Sequence, residues 1–398
     1  MTEVKPLRGL IEPPVAGYWG SDERTIRASR GAYVIRNGDA AGVDQIDPRT
    51  LPLRWFAPAE IAKARCEPGD VVLVSSGEVG DAVPVTKLPN DFPTIVSNFV
   101  RRVRAAAGVF PGWLGHVMRW SESKRVAQRV SGGTTLTNLS STFFDQFLIH
   151  VPGEREQRRI AEILDTIDEA IQISDGLIAK KQDLHAALAT SLLADGGDSQ
   201  TLAEIVDPRR PVTYGIVQPG PRQPEGTGVP IIRGQDYDNG LVTTEGLYWV
   251  QPHIAAPYGR SVLQGEDVLL SIVGVYVGTV GQVPPQLGGA NLTQTTARIA
   301  ITAPNVPRYF FHQMIGPTFQ GEVRKYTKGS AQPGLNLSDV ERMVVHVPSV
   351  EDQKRVVAVL DASVEAIATE QRELGKLRSL RLGLASDLLS GRMRTVRP

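Results

Sequence analysis

Two stretches of the chain, LIHVPGEREQRRIAEILDTIDEAI at residues 148–171 and VVHVPSVEDQKRVVAVLDASVEAI at residues 344–367, are copies of one another. They are offset by 196 residues without a gap, and ten of the 24 positions are identical. Further upstream, an offset of 197 pairs Val34-Ile35-Arg36 with Ile231-Ile232-Arg233. Because the offset is almost half of the 398 residues, the chain is predicted to be an internal duplication.

Each copy opens a long segment in which apolar side chains recur at alternating steps of four and three residues. This period, sustained over about four heptads, is typical of a coiled-coil seam. A helix over residues 154–194 would be about 60 Å long. Since one helix alone would leave its seam in water, we expect the two seams to pair with each other, antiparallel within the chain, or with helices of a partner. The apolar seam residues are Ile160, Leu164, Ile167, Ile171, Ile178, Leu188, Leu192, Val356, Leu360, Ile367, Leu374, Leu377, Leu384 and Leu388.

The segments outside the two long helices are predicted to be globular. They contain short β-rich runs, such as Val71–Ser75 and Val268–Ile272, between glycine and proline residues. The predicted fold class is α+β, with two mixed α/β domains and two long helices that pair as an antiparallel coiled coil in a pseudo-twofold duplication. The predicted segments are residues 1–151, 152–196, 197–347 and 348–398.

The composition excludes several classes of protein. Hydrophobic residues make up 41% and charged residues 22% of the chain, which excludes a wholly disordered or fibrous protein. No apolar run approaches the roughly 18 residues that span a bilayer, and the N-terminus has no apolar signal core, so we expect a cytoplasmic protein without a membrane partner. The single cysteine, Cys66, excludes an internal disulfide and a cysteine-based zinc cluster.

Motifs of known catalytic chemistry are absent from the sequence. There is no P-loop, no dinucleotide fingerprint and no Asn-Pro-Pro-aromatic tetrapeptide of the kind that marks amino-methyltransferases. The six histidines lack metal-ligand spacing. Asp352-Gln353-Lys354 matches half of a nuclease site, but it falls in the first turn of a predicted helix. We therefore expect no catalytic residue, cofactor or metal in this chain, with a standalone methyltransferase or nuclease as the alternative.

Charge is segregated along the chain although 43 basic and 43 acidic residues cancel. Residues 101–129 carry seven basic side chains and one acidic side chain, and residues 298–328 carry five and one. Residues 154–183, in the first predicted helix, carry eight acidic and five basic side chains. Basic clusters at equivalent places in both copies favour contact with DNA phosphates. A solvated basic face is the alternative interpretation.

One motif resembles a known family. Proline, then Glu/Asp-Gln-[RK]-[RK]-[IV], then Leu-Asp occurs at Pro152–Asp165 and again at Pro348–Asp361, each time after a domain of about 150 residues. This arrangement resembles the DNA specificity subunit of type I restriction–modification enzymes. TYGIVQPGP at 213–221 and GVPIIRGQD at 228–236 resemble the opening of that family's target-recognition domains, whereas the first copy has GYWG at 17–20.

The resemblance implies a non-catalytic subunit that binds double-stranded DNA. Each globular domain would read one half of a bipartite, asymmetric target, and the helices would set the spacing and dock two methyltransferase subunits. Those subunits would bind S-adenosylmethionine, and restriction subunits with motor and nuclease activity would use ATP and magnesium. The alternatives are a related system in which methylation and cleavage share one partner chain, and a coiled-coil adaptor without a DNA role.

The resemblance also suggests which side chains contact DNA. Basic residues and the Gly-Ser and Gly-Thr turns would hold phosphates, whereas Tyr214, Arg233 and Gln235 would reach base edges. The candidate DNA contacts are Arg101, Arg102, Arg104, Lys124, Arg125, Arg129, Thr134, Tyr214, Arg233, Gln235, Arg298, Arg324, Lys325, Lys328 and Ser330. The apolar seam residues are the candidates for helix pairing and subunit docking.

Overall fold

The chain divides into two compact units in the computed structural model. The structure describes residues 3–23, 29–131, 137–194, 197–329 and 332–395. One unit comprises Met1–Asp175 with Arg372–Pro398, and the other comprises Gly176–Gln371. Each unit therefore holds one predicted globular domain together with part of each long helix. Among the described helices, none has the length and apolar character needed to cross a membrane.

The first unit is built on two small sheets and a strand pair. Its strands are β1 (Glu3–Pro6), β2 (Val15–Ala16), β3 (Arg30–Ile35), β4 (Leu53–Phe56), β5 (Val71–Val74), β6 (Ala82–Pro84), β7 (Thr94–Val96), β8 (Val100–Val103) and β9 (Leu148–Val151). Its helices are α1 (Pro58–Ala64), α2 (Pro111–Arg119), α3 (Ser121–Val130), α4 (Phe143–Gln146) and the start of α5 (Glu154–Ala194). The sheets have the orders β2–β8–β5–β6 and β4–β3–β7, and β1 pairs with β9. All four residues of β5 are buried, as its unbroken apolar run predicts.

The second unit repeats this plan. Its strands are β10 (Asp198–Thr201), β11 (Thr213–Tyr214), β12 (Val229–Ile232), β13 (Gly240–Leu241), β14 (Tyr248–Val250), β15 (Val268–Ser271), β16 (Val280–Gln282), β17 (Asn291–Leu292), β18 (Thr296–Ile299) and β19 (Val344–Val347). Its helices are α6 (Leu202–Ile205), α7 (Pro252–Ala255), α8 (Pro307–Ile315), α9 (Pro317–Tyr326), α10 (Leu337–Arg342) and the start of α11 (Val350–Leu389). The sheets have the orders β11–β18–β15–β16–β13 and β14–β12–β17, and β10 pairs with β19. The predicted duplication is confirmed.

A glycine at an equivalent position in each unit lets the chain pass close to a neighbouring backbone. A Cβ atom on Gly17 would lie 1.6 Å from the carbonyl oxygen of Val96, and one on Gly215 would lie 2.1 Å from that of Leu292. Any side chain would therefore clash with the neighbouring carbonyl. The first copy departs from the Tyr-Gly-Ile-Val-Gln pattern, yet its Gly17-Tyr18 segment follows the backbone path of Gly215-Ile216.

One glutamine in each copy ties the start of a long helix to the adjacent domain. Gln353 is fully buried. Its Oε1 accepts the backbone N–H of Val306 at 2.8 Å, and its Nε2 donates to the carbonyl of Pro348 at 3.0 Å. Gln157 accepts the N–H of Phe110 at 2.7 Å and donates to the proline before its own helix at 2.9 Å. The glutamine of the duplicated motif is therefore structural, because it satisfies backbone groups that would otherwise be buried without a partner.

The long helices run antiparallel within the first unit. Arg381 Nε lies 2.9 Å from Asp168 Oδ1, and Arg378 Nη2 lies 3.0 Å from Asp175 Oδ2. From the first pair to the second, the residue number rises along α5 and falls along α11, so the two helices run in opposite directions. Part of each helix thus contacts the other inside this unit, as the coiled-coil pattern predicts.

The second unit contains the same antiparallel arrangement, made by different residues. Lys181 Nζ lies 2.9 Å from Glu370 Oε2, and the His185 ring contacts the Ser363 hydroxyl. These polar residues occupy seam positions and pair with each other. Because polar pairs inside an apolar coiled-coil seam are satisfied in only one alignment of the helices, these contacts fix the register.

The apolar seam is buried, and parts of it belong to the core of each unit. All fourteen predicted seam residues are buried or half-buried. Ile160, Leu164 and Leu388 belong to the core of the first unit, and Val356 and Leu360 to that of the second. The compact units therefore divide each helix between them, whereas the predicted segments treat each helix as separate from the domains.

Asp168 of α5, next to the seam residue Ile167, is a half-buried carboxylate that pairs with two arginines. It accepts hydrogen bonds from Arg381 and from Arg119 of α2. Burial alone would raise the pKa of the Asp168 carboxyl. The hydrogen bond from Arg381 and the positive charges of both arginines outweigh that effect, so the pKa lies below its ordinary value.

Replacing Gln353 tests the helix anchor. Gln353→Ala leaves the Val306 N–H and the Pro348 carbonyl without their buried partner, so we expect a loss of about 1–3 kcal/mol in unfolding free energy. Urea denaturation of the full chain measures it. Lys354→Ala, at an exposed neighbouring position, serves as the control and should change stability by less than about 0.5 kcal/mol. Equal stability of the two variants would contradict the anchoring role.

The pH dependence of stability tests the Asp168 network. A carboxyl whose pKa is lowered by folding stabilises the protein above the ordinary aspartate pKa of about 4 and loses this contribution as the pH falls. Asp168→Asn should therefore destabilise the chain by about 1–3 kcal/mol at pH 7, and the deficit should shrink towards pH 3. Urea denaturation at both pH values measures this, with exposed Asp183→Asn on the same helix as the control. A deficit that stays constant over this range would show that the charge is not its source.

Candidate functional site

Two of the predicted DNA contacts lie in the domain interiors. Arg298 is 1% exposed, and its guanidinium donates to the carbonyls of Arg260 at 2.6 Å and Pro211 at 2.9 Å. Burial lowers its pKa. The equivalent Arg102 is also buried and donates to the carbonyl of Arg65 at 2.8 Å. Because both guanidinium groups bind backbone carbonyls inside their domains, we correct the interpretation of these arginines from phosphate contacts to structural residues.

Two further candidates are paired within local structure. Arg104 Nε donates to the buried Asp70 at 2.6 Å. Arg233 Nη2 donates to the buried Asp236 at 2.7 Å. The equivalent Arg36 likewise donates to the aspartate that lies three residues after it in the sequence. The side chains of Arg104 and Arg233 are each 28% exposed. Their charges are therefore largely compensated inside the protein, and their first role is to hold the adjoining loops.

Four exposed basic candidates lie on α3 and α9, which occupy equivalent positions in the two units. Arg125 and Lys325 are 65% and 62% exposed, and each has a glutamate on its own helix as partner. Arg129 and Arg324 are exposed, and within the described ranges no carboxylate forms an ion pair with either. Arg129 and Lys325 are related by the 196-residue offset, so the same helix is basic in both copies. DNA contact by these residues stays a prediction.

The remaining basic candidates have more restricted settings. Lys328 is 68% exposed and lies 2.9 Å from Asp339 Oδ2, and Lys124 pairs with Asp81. Arg101 is half-buried. Thr134 and Ser330 lie outside the described residues. The parts of the predicted basic surface that remain open to solvent are thus the C-terminal ends of α3 and α9 and the exposed Lys328 just after α9.

A cavity of about 410 Å³ in the second unit brings Arg233 and Gln235 together. Its other lining residues are Ile216, Val217, Pro219, Gly234, Val273, Gly274, Val275, Tyr276, Thr293, Gln294 and Thr295. Amides, hydroxyls and apolar groups dominate this surface, and its one charged side chain is the paired Arg233. Tyr214 is 44% exposed on β11 but does not line the cavity. Neutral hydrogen-bonding groups of this kind suit base edges better than phosphates.

Sequence reasoning missed the apolar residues of this cavity. Val275 and Tyr276 belong to the VGVYVG stretch at residues 273–278. In the sequence analysis, the spacing of the glycines in this stretch served only to exclude a dinucleotide fingerprint. The alternation of glycines with large apolar residues was a usable signal for a binding turn. Glycines indicate a turn, and an exposed turn seldom carries two large apolar side chains in succession unless they make a contact.

The surface of the long helices also differs from the prediction. The seam residues are buried between the helices and in the domain cores, so they are not open to a docking partner. Other apolar residues of the helices are exposed, by between 39% and 66%. They are Ile173, Leu177, Leu184, Val359, Val364, Leu380 and Leu382. These residues lie between seam positions, where the heptad analysis treats side chains as solvent-facing.

Comparison with known proteins supports the resemblance seen in the sequence. Residues 67–180 and 223–378 match a family described as the type I restriction modification DNA specificity domain. Together these ranges include more than half of the chain, and each spans a large part of one globular domain and the beginning of the helix that follows it.

Relatives and solved structures agree with this match. The EcoBI specificity subunit of Escherichia coli is 28% identical over 57% of this chain, which spans only 53% of that relative. The MjaX specificity subunit of Methanocaldococcus jannaschii is 21% identical over 98% of this chain and 93% of its own length. The crystal structure of the type I restriction–modification S subunit from M. genitalium shares the fold, with a TM-score of 0.60, 15% identity and coverage of 98% and 96% of the two chains. The chain thus belongs to the type I restriction–modification DNA specificity family, whose members are non-catalytic subunits.

Proposed function

We propose that this chain selects the target of a type I restriction–modification complex, with each globular domain reading one half of a bipartite sequence in double-stranded DNA. The observation that carries this proposal is the duplicated scaffold with an exposed basic helix, α3 or α9, at the same place in both units. Two copies of one domain with different surface residues suit an asymmetric target, because each copy can prefer its own sequence.

Phosphate contact is the role that suits the exposed basic residues. Arg129 and Arg324 present exposed cationic groups for which no carboxylate of the described residues forms an ion pair, and the exposed Lys325 pairs with Glu322 of its own helix. Binding of such groups to DNA releases counterions and gives affinity that falls with salt but carries little sequence information. Sequence preference would come instead from neutral surfaces such as the cavity of the second unit.

The paired helices would set the gap between the two half-sites. The seam of the two helices is buried, and their polar pairs fix an antiparallel register within each unit. The helices therefore cannot slide along each other to change the spacing that they set. Helices of 41 and 40 residues correspond to about 60 Å, which exceeds the roughly 34 Å of one DNA helical turn. A spacer of this size is compatible with two separate groove segments.

The exposed apolar residues of the helices would dock two methyltransferase subunits. Ile173 is 66% exposed, Leu184 is 60% exposed and Leu382 is 61% exposed, and apolar surface of this kind commonly marks a protein contact. The methyltransferase subunits would supply S-adenosylmethionine chemistry, and restriction subunits would supply ATP- and magnesium-dependent chemistry. This chain would contribute recognition and spacing.

Arg324→Ala tests the phosphate role. In the complex assembled with methyltransferase subunits, we expect weaker binding to all duplexes alike and a salt dependence that is shallower by about one unit of slope. Titrations of a random-sequence duplex at several salt concentrations measure this. Lys354→Ala, another exposed basic residue of the second unit, is the control. A changed sequence preference with unchanged salt slope would overturn the assignment.

A length change in both helices tests the spacer role. One heptad inserted near Ile178 of α5, with a matching heptad between Glu370 and Arg378 of α11, preserves the seam period and lengthens each helix by about 10 Å. We expect the gap in the methylated sequence to grow by about three base pairs, with both half-sites unchanged. Sequencing of methylated genomic DNA measures this, and a seven-residue replacement without a length change is the control. An altered half-site with the original gap would contradict the spacer role.

A further inference from the structure

One turn of the second unit presents large apolar side chains to solvent. Val275 is 89% exposed, the largest value for any large hydrophobic side chain among the described residues, and its neighbour Tyr276 is 45% exposed. Both lie in the turn between β15 and β16. Exposed apolar groups that adjoin one another commonly mark a binding surface.

The turn that carries these residues is held in a defined shape. Gly274 and Gly278 have φ values of +86° and +92°, a conformation that strongly favours glycine. The N–H of Gly274 donates to the carbonyl of Pro333 at 2.9 Å, and the N–H of Gly278 donates to the carbonyl of Ser271 at 3.0 Å. Val275 therefore projects from a hydrogen-bonded turn that is anchored at both ends, which limits the entropy lost when it makes a contact.

The turn lies between a neutral cavity and a basic helix. On one side, Val275 and Tyr276 line the cavity together with Gln235 and Gln294. On the other side, Gln320 of α9 donates to the carbonyl of Gly278 at 2.9 Å. The same helix carries the exposed Arg324 and Lys325. The apolar and amide groups of the turn and cavity are thus linked through Gln320 to the helix that carries the cationic groups, and DNA likewise presents base edges flanked by phosphates.

We propose that Val275, supported by Tyr276, contacts the methyl group of a thymine in the half-site read by the second domain. Apolar side chains contact this methyl group in the major groove, and glutamine pairs with adenine there. Gln235 and Gln294 provide such amides beside the turn. This inference rests on the proposed function. It predicts that the base pair contacted by the turn is A·T.

The equivalent turn of the first unit has the same anchors and a different tip. Gly77 and Gly80 have φ values of +82° and +97°. A Cβ atom on Gly80 would lie 3.2 Å from Cα of Lys124 in α3, as one on Gly278 would lie 2.9 Å from Oε1 of Gln320 in α9, so each turn passes close to its helix. The tip is the exposed Glu78, and the turn is one residue shorter. A carboxylate accepts a hydrogen bond from the cytosine amino group rather than contacting a methyl group. The two copies thus present different chemistry from one scaffold position.

Two substitutions in the full complex with methyltransferase subunits test the role of the turn. Val275→Ala removes most of the apolar tip, and Val275→Glu installs the side chain of the first copy. Sequencing of methylated genomic DNA should show the preference for A·T at one base pair of one half-site weakened by Val275→Ala and reduced about tenfold by Val275→Glu. The other half-site and the gap should stay unchanged. Leu241→Glu, on the edge strand β13 and 59% exposed, is the control and should leave the target intact.

A second measurement isolates the methyl contact. Replacing the thymine at the affected base pair by uracil, which lacks the methyl group, should weaken binding by the wild-type complex about fourfold and binding by Val275→Ala hardly at all. Equal losses for both proteins, or an unchanged target for both substitutions, would overturn the role of the turn while leaving the proposed function in place. A wild-type complex that methylates no bipartite sequence would overturn the proposed function itself.

Discussion

Burial of the helix seam is the interaction on which the rest of the structure depends. Ile160 and Leu164 of α5 share the core of the first unit with Leu388 of α11, while Val356 and Leu360 of α11 belong to the core of the second. Full burial of each such side chain contributes roughly 1.5–3 kcal/mol. A globular domain without its helix segments would expose this apolar surface, so the helices and the domains stabilise one another.

Polar groups at the helix ends and in the seam give this apolar packing a defined register. Gln157 and Gln353 satisfy backbone N–H groups that the adjoining domains would otherwise bury without a partner. Asp168 with Arg381, and Lys181 with Glu370, pair across the helices in their respective units. Because unpaired buried charges are costly, a shift of one helix along the other would leave several of these groups without partners.

In the duplicated scaffold, the structural anchors and the basic helices are the same in both copies, whereas the residues at the tips of the anchored turns differ. The glutamine anchors, the close approach of Gly17 and Gly215, and the basic helices α3 and α9 recur in both units. The tips of the anchored turns differ, with a carboxylate at Glu78 and apolar groups at Val275 and Tyr276. In a specificity family this division is physically sensible, since phosphate contacts suit every target while base contacts must change with it.

The sequence by itself determined the duplication, the two paired helices and the family, because these rest on local periodicity and on a motif that occurs twice. Only the tertiary structure distinguished the basic residues from one another. Arg298 and Arg324 look alike in the sequence, yet Arg298 is buried against the carbonyl of Arg260, 38 residues away, whereas Arg324 faces solvent. The exposure of Val275, three residues after the predicted β-rich run Val268–Ile272, was likewise decided by the fold. Burial and pairing depend on contacts between residues far apart in the chain, which local patterns do not encode.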